Sequence, residues 1–295
     1  MSRVGEILYW AAEKLSQAGI EEAGLESEIM LREELHLSRA ELYLNLNNNI
    51  EFPALIDSFR KKVMLRAGHV PLAYILKKVR FMGLDFLVDE RAMIPRQETE
   101  LLVEVVVNCV NNAINRTATI LDIGTGSGNI AVSIAKLVSN AEIYATDISG
   151  EAIELARQNA ILNNVAEKIS FIQCDLFSAL NGVELNGGFD IVVSNPPYVP
   201  SYDIEKLQPE IQAEPHIALD GGEDGLAFYR RIIQDLPCYL KKGGYLFLET
   251  GSGQAGKVIE MILESRSFSE WGTIKDYNGI ERIIWGCSGK REVNG

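Results

Sequence analysis

The sequence predicts an α/β fold: a mostly parallel sheet finished by an antiparallel hairpin, with a small helical bundle before it. Three observations carry this reading. Residues 1 to about 70 hold apolar positions at helical spacing only. From Thr119 onward, strand, glycine-rich turn and helix alternate, the rhythm of a parallel sheet wrapped by helices. Near the end, two strand-like runs flank Asn278-Gly279, a strong hairpin signal.

In the first region, Val4, Ile7, Leu8, Ala11, Ala12 and Leu15 line one helix, and Leu25, Ile29, Leu31 and Leu35 begin another. Ser38 with Glu41 forms a capping-box pattern ahead of Leu42 and Leu44. Pro53 opens a fourth helix through Ile56, Phe59, Val63 and Met64, closed near Gly68. Short helices with short polar turns make a bundle, assigned to residues 1–75. Residues 76–95 change character: Phe81, Leu84, Phe86 and Val88 fit short strands about Gly83, a hairpin read as a linker. Residues 96–295 form the second domain. It opens with a helix from about Glu98 to Val110, then runs through the strands TILDIG, AEIYATD, ISFIQCD, FDIVVSN and GGYLFLETG. The closing hairpin is WGTIKDYNGIERIIWGC.

Composition bounds the function. With 47% hydrophobic and 23% charged residues in 295, the chain is an ordinary globular one with room for about two domains. Its 28 Lys and Arg stand against 41 Asp and Glu, a net charge of −13. Nucleic-acid binders draw affinity from neutralising phosphates, so this balance argues against a nucleic-acid substrate. Cys109, Cys174, Cys238, Cys287 and His36, His69, His216 are scattered without zinc or dithiol spacing, so no metal is expected. The opening MSRVGEILYWAAEKL is broken by Glu6 and Lys14 and lacks a signal-peptide core. No apolar run approaches the ~18 residues of a membrane span. The expected compartment is the cytoplasm, with no membrane partner.

The turn after the first strand of the sheet is Asp122-Ile123-Gly124-Thr125-Gly126-Ser127-Gly128-Asn129. Glycines let a ligand approach the backbone, and a helix starting near Asn129 offers free N–H groups. Gly126, Gly128 and Ala131 also satisfy a G-x-G-x-x-A dinucleotide pattern, so the turn alone leaves nicotinamide, flavin and S-adenosylmethionine open. Asp147, at the end of the second strand and followed by Ile148, can accept both ribose hydroxyls of an adenosine. Asp175, at the end of the third, can take the adenine amino group, with Leu176 and Phe177 in apolar contact with the ring. Asp122 stands where the amino group of a methionine moiety would lie. Three such acids suit a cationic sulfonium carrying an ammonium better than a pyrophosphate, which they would repel. Any one of them alone is also an ordinary strand-to-turn Asp.

The fourth strand ends in Ser194-Asn195-Pro196-Pro197-Tyr198-Val199-Pro200. Two prolines stiffen the backbone and remove N–H donors, leaving carbonyl acceptors. The Asn195 side-chain carbonyl and the Pro196 backbone carbonyl can hold an NH2 group in a defined plane, and Tyr198 offers a face for stacking. An amide nitrogen is a poor nucleophile. Accepting both its hydrogens stabilises the positive charge that develops as a methyl arrives in line, a preorganised effect of roughly a hundredfold or more. Asn195, Pro196, Pro197 and Tyr198 are thus the expected acceptor site, with Asn195, Pro196 and Tyr198 its chemical centre.

Asn-Pro-Pro-Tyr after a glycine-rich turn resembles amino-methyltransferases acting on glutamine, adenine or cytosine. Ile94-Pro95-Arg96-Gln97-Glu98-Thr99-Glu100 narrows the likeness, being similar to the I-P-R-P-E-T-E stretch of the HemK/PrmC protein-glutamine methyltransferases. Glu214-Pro215 through Ala218-Leu219, Gly221-Gly222-Glu223-Asp224-Gly225-Leu226, Tyr229-Arg230 and Lys275 to Gly279 with Arg282 resemble the same family. The likeness runs from about Leu72 to Gly286 and is weaker before that. It implies a Rossmann-like class I S-adenosylmethionine methyltransferase domain. The implied acceptor is the glutamine N5 of the Gly-Gly-Gln loop in class I peptide release factors, S-adenosylhomocysteine is the product, and the protein acts on translation termination. By position, Gly124 to Gly128, Asp147 and Asp175 would bind cofactor, and Asn195 to Tyr198 the glutamine amide. Gln97 stands where the family often has proline, and Lys77, Lys78 and Arg80 where it usually shows Gly and Glu. The helical bundle is expected to recognise the protein substrate, its plainer alternative being a dimerisation module or lid.

Two rivals remain at this level. A nucleic-acid amino-methyltransferase shares the acceptor motif but normally brings a basic recognition domain. A binding protein without turnover would lose Asn195 or the glycine turn, and both are intact.

Overall fold

The computed structural model describes residues 3–114, 116–180 and 187–289, so the outermost residues of the expected 1–75 and 96–295 segments lie outside the described residues. The chain divides into two units. One runs up to Lys77 and takes in Gln208–Ala213; the other holds Lys78–Leu207 and continues from Glu214.

The first unit is helical: α1 (Val4–Gln17), α2 (Ala23–Leu35), α3 (Arg39–Leu44), α4 (Pro53–Ala67) and α5 (Leu72–Leu76). Their one apolar core joins Ile7, Ala11 and Leu15 of α1, Met30 and Leu31 of α2, and Phe59 and Val63 of α4. Ser38 caps α3 reciprocally: the Glu41 N–H donates to Ser38 Oγ (3.3 Å) and the Ser38 N–H to Glu41 Oε2 (2.7 Å). Pro53 starts α4, where its missing N–H costs nothing.

Gln208–Ala213, inside the expected 96–295 domain, clusters with the helices. The physical reason is an ion-pair cluster. Arg66 of α4, only 6% exposed, donates from Nη2 to Glu26 (3.2 Å) and from Nη1 to Glu210 (2.8 Å). His69 Nδ1 lies 2.9 Å from the same Glu210 oxygen. The Glu210 carboxyl is pulled down to about 2 by hydrogen bonds from Arg66 and His69 that outweigh its burial. Removing Arg66 leaves two half-buried carboxylates without their cation, so Arg66→Ala is expected to destabilise the protein by about 1–3 kcal/mol. Thermal denaturation checks this, and an unchanged melting temperature would show the cluster to be dispensable.

The second unit opens with the hairpin β1 (Lys78–Phe81) and β2 (Leu84–Leu87), followed by α6 (Glu98–Ala113), β3 (Ala118–Ile123), α7 (Asn129–Leu137), β4 (Ala141–Asp147), α8 (Gly150–Leu162), β5 (Ile169–Gln173) and β6 (Phe189–Ser194). After α9 (Pro209–Gln212) of the helical unit come α10 (His216–Leu219), α11 (Ala227–Asp235), β7 (Leu240–Glu249), α12 (Ala255–Ser265), β8 (Phe268–Lys275) and β9 (Glu281–Ser288). The sheet has seven strands in the order β5-β4-β3-β6-β7-β9-β8. The first five are parallel and β9 runs antiparallel to both β7 and β8.

The hairpin expected as a linker packs into this unit. Phe81 and Phe86 are buried edge to face, with centroids 5.9 Å apart, and join the core under α6 and α7. The Asn159 side chain of α8 accepts from the Leu87 N–H (2.6 Å) and donates to the Leu87 carbonyl (3.0 Å). Asn163 donates to the Asp85 carbonyl (3.0 Å). These bonds satisfy strand-edge groups that a free linker would leave to water.

Candidate active site

Chain order runs outward from β3 to β5 on one side and from β6 to β7 on the other. The switch point therefore falls between β3 and β6, where parallel sheets open a crevice at the strands' carboxyl ends. A cleft lies there. The turn after β3 contributes Gly124, Thr125, Gly126, Ser127 and Asn129, and β4 contributes Asp147 with Ile148. The turn after β5 adds Cys174, Asp175 and Leu176, and the loop after β6 adds Asn195, Pro196 and Pro197.

Gly124 and Gly126 hold φ of 72° and 55°, the left-handed region that keeps the turn's backbone exposed to the cleft. Gly128 does different work. It lies outside the cleft lining, and a Cβ there would stand 3.0 Å from the Ala156 Cβ, so it lets α7 and α8 approach. Asn159 donates a third bond to the Ser127 carbonyl (2.8 Å), tying the turn to α8. Asp147 receives the Gly126 N–H on Oδ2 and the Ser149 N–H on Oδ1, both at 2.9 Å. Each oxygen keeps a lone pair for a ligand hydroxyl. Burial raises its pKa against those bonds.

Asp122 is fully buried behind the turn and does not line the cleft. Its Oδ2 accepts from Thr125 Oγ1 (2.6 Å) and the Ala131 N–H (3.2 Å), while Oδ1 has no partner among the described residues. Burial pushes it up to about 7. Asp175 lies two residues past the end of β5 rather than on the strand, and its Oδ2 accepts from Arg231 Nη2 (2.7 Å). Phe177 differs from expectation: its ring stacks on Tyr239 at 4.6 Å in the core, leaving Leu176 at the cleft wall. Tyr198 is likewise outside the lining. Its ring packs with the core on the α11 and α12 side, its carbonyl accepts from Gln254 Nε2 (2.8 Å), and burial pushes its hydroxyl up to about 12.

Other residues complete the lining. Ala92, Met93, Pro95 and Thr99 form one wall, Pro215, Ile217 and Ala218 another, and Phe228 with Arg231 closes the Asp175 side. Arg96 pairs with the buried Glu214, whose Oε2 also accepts the Ile94 N–H (3.1 Å), so the Ile-Pro-Arg and Glu-Pro stretches are joined beside the cleft. Asn195 Nδ2 donates to Thr99 Oγ1 (3.1 Å), so its Oδ1 lies on the opposite side of the amide. Among the described residues no cluster of His, Cys, Asp or Glu could hold a metal ion, and no helix is long and apolar enough to cross a membrane.

The parallel sheet, antiparallel final hairpin and glycine-turn cleft define a methyltransferase domain, and the methyltransferase-domain family matches residues 114–282. The PrmC N-terminal domain family matches residues 6–76. A release factor glutamine methyltransferase of Geobacter sulfurreducens is 40% identical over 287 residues, 97% of each chain. One of Moorella thermoacetica is 36% identical over 93% of this chain and 94% of its own. A methyltransferase structure from Pyrococcus furiosus shares the fold at a TM-score of 0.50 and 17% identity, over 78% of this chain and 98% of that one. The chain belongs to the release factor glutamine methyltransferase family.

Proposed function

We propose that this protein transfers a methyl group from S-adenosylmethionine to the side-chain N5 of the glutamine in the Gly-Gly-Gln loop of class I peptide release factors, in the cytoplasm, and so acts on translation termination. The observation that carries the reading is the oriented Asn195 amide, followed by Pro196 and Pro197, one strand away from the glycine turn and two from Asp147. The curated relatives are named for the same reaction.

The residues present fit the cofactor. Asp147 offers two braced oxygens to a ribose diol, Gly124 to Ser127 offer bare backbone, and Ile148 with Leu176 offers apolar surface to an adenine. Asp175 keeps Oδ1 as an acceptor, and Asp122 holds Thr125 and the start of α7 in place. Asp147, whose partners are backbone N–H groups, leaves a carboxylate without a cationic partner at the cleft, which favours a sulfonium with an ammonium over a pyrophosphate. Bound there, S-adenosylmethionine supplies an electrophilic methyl. Asn195 Oδ1 and the Pro196 carbonyl accept the two amide hydrogens and aim the nitrogen. Transfer would exchange the S–C bond for an N–C bond, with S-adenosylhomocysteine as the product and one nitrogen proton passing to water. Tyr198 serves by bracing the loop from its half-buried ring.

A glycine-flanked glutamine suits a narrow cleft because its neighbours carry no side chains to clash. The net charge of −13 repels a polyphosphate and attracts a translation factor with basic patches. Peptide mass spectrometry after incubation with the cofactor and a purified release factor tests the reading. One methyl increment on that glutamine is expected. An unmodified factor beside methylated adenine in DNA or RNA would sink it.

A further inference from the structure

Glu249, the last residue of β7, is 1% exposed, and its Oε2 has no hydrogen-bond partner among the described residues. A carboxylate so placed is costly unless something uses it. It stands beside the acceptor loop, since Ser194 pairs with Leu248 across the adjoining strands and the next residues are Asn195 and Glu249. Thr99, itself 1% exposed, sits at the start of α6 and accepts the Asn195 Nδ2 hydrogen. Thr99 and Asn195 are also the side chains that favour the ionised form of Glu249.

A primary amide has two faces of opposite polarity, and substrate recognition here requires the oxygen to face the cleft. Thr99 alone cannot enforce this, because a hydroxyl both donates and accepts. An ionised carboxylate only accepts. Were ionised Glu249 to take the Thr99 hydroxyl hydrogen, Thr99 Oγ1 could only accept from Asn195, whose nitrogen would then be committed inward. We infer that Glu249 is a positioning residue that, acting through Thr99, fixes the polarity of the Asn195 amide so that Oδ1 receives the substrate NH2. This inference rests on the glutamine-methyltransferase reading above.

A pH signature follows. Burial, chiefly, pushes Glu249 up to about 7; Thr99, Arg282 and Asn195 oppose the rise and Glu98 adds to it. The other ionisable groups facing it are Tyr198 on the acceptor loop and Tyr229 on α11, with Asp276 paired to Arg282. Protonated Glu249 becomes a donor, the hydroxyl can reverse, and the amide loses its bias. Turnover at saturating cofactor should therefore fall as pH drops through about 7 and recover above it. Asp122 and Asp147 also have raised pKa values, but they act on cofactor binding, which saturation removes.

The test measures kcat, KM for the release factor and cofactor Kd across pH in wild type, Glu249→Gln, Thr99→Val and Thr99→Ser. Glu249→Gln should lower kcat roughly a hundredfold, the scale of a misplaced reacting group, leave cofactor Kd within about twofold and abolish the acid limb. Thr99→Val should behave alike and Thr99→Ser should recover most of the loss. Glu249→Gln at wild-type kcat with the acid limb retained overturns the proposal. If that variant does not fold, the Thr99 pair decides, and equal rates for Val and Ser overturn it. A wild-type enzyme that leaves the glutamine unmodified overturns the underlying reading itself; an active wild type with insensitive variants overturns only this step.

Discussion

Asn195→Ala is expected to lower single-turnover methyl transfer by a hundredfold or more while cofactor affinity changes little. The side chain faces the cleft with its nitrogen committed to Thr99, so Oδ1 is the group it offers to a ligand. Its strongest partner forms only as positive charge grows on the attacking nitrogen. Preorganised dipoles of that kind are worth about 2.7–4 kcal/mol at the transition state. An interaction made mainly there lowers kcat and kcat/KM together and leaves ground-state binding almost untouched. Rapid-quench single turnover with saturating cofactor measures the first quantity and calorimetry the second. Near wild-type transfer would remove Asn195 from the acceptor site. The loop should keep its shape, because Tyr198 is held through Gln254 and Ser194 Oγ donates to the Ile123 carbonyl (2.7 Å), neither of which the substitution touches.

The strands were legible because each announces itself locally: TILDIG and FDIVVSN are short apolar runs ended by turn residues, and their burial is nearly complete in the fold. Asp147 and Asn195 were legible for the same reason, since a strand's carboxyl end fixes where the next side chain can point. Residues whose role depends on neighbours far along the chain were not. Thr99 looks like an ordinary first-turn threonine and Glu249 like a strand-end acid; the β6–β7 register and the approach of α6 bring them to Asn195. Glu210 lies 144 positions from Arg66, and nothing in Pro-Glu-Ile-Gln marks it as the partner of a buried arginine.

Aromatic residues misled for a related reason. Phe177 and Tyr198 each sit within three residues of a cleft residue, which made them natural candidates for ring contacts. Leu176 adopts φ of 52°, a reversal that sends the chain after it back under the sheet and takes Phe177 into the core. Tyr198 follows two prolines, and the loop beyond it pairs at Val199 with Asp220, which draws its ring inward. The hairpin was legible as a hairpin, but its attachment was not, because it depends on Asn159 of α8 and Asn163 just past its end, which carry no sequence signature of their own.

Asp147→Ala is expected to weaken S-adenosylmethionine binding by two orders of magnitude or more. Each hydrogen bond from a ribose hydroxyl to a charged acceptor contributes about 1.5–3 kcal/mol, and the variant loses both. A second loss adds to the first. Asp147 Oδ2 is the acceptor for the Gly126 N–H and Oδ1 for the Ser149 N–H, so without it the glycine turn and the start of α8 lose the group that holds them in register. Asp147→Asn separates the two effects. An amide oxygen can still take one backbone hydrogen, but the charge is gone and the NH2 group opposes the other donor, so affinity should fall to an intermediate level. Affinity of the native protein should also decline toward acid pH, since burial raises the Asp147 pKa and the protonated form is a poorer acceptor. In Asp147→Asn that part of the pH dependence should vanish. Calorimetric titration of the three proteins across pH measures all of this, and unchanged affinity in Asp147→Ala would exclude Asp147 from the ribose site.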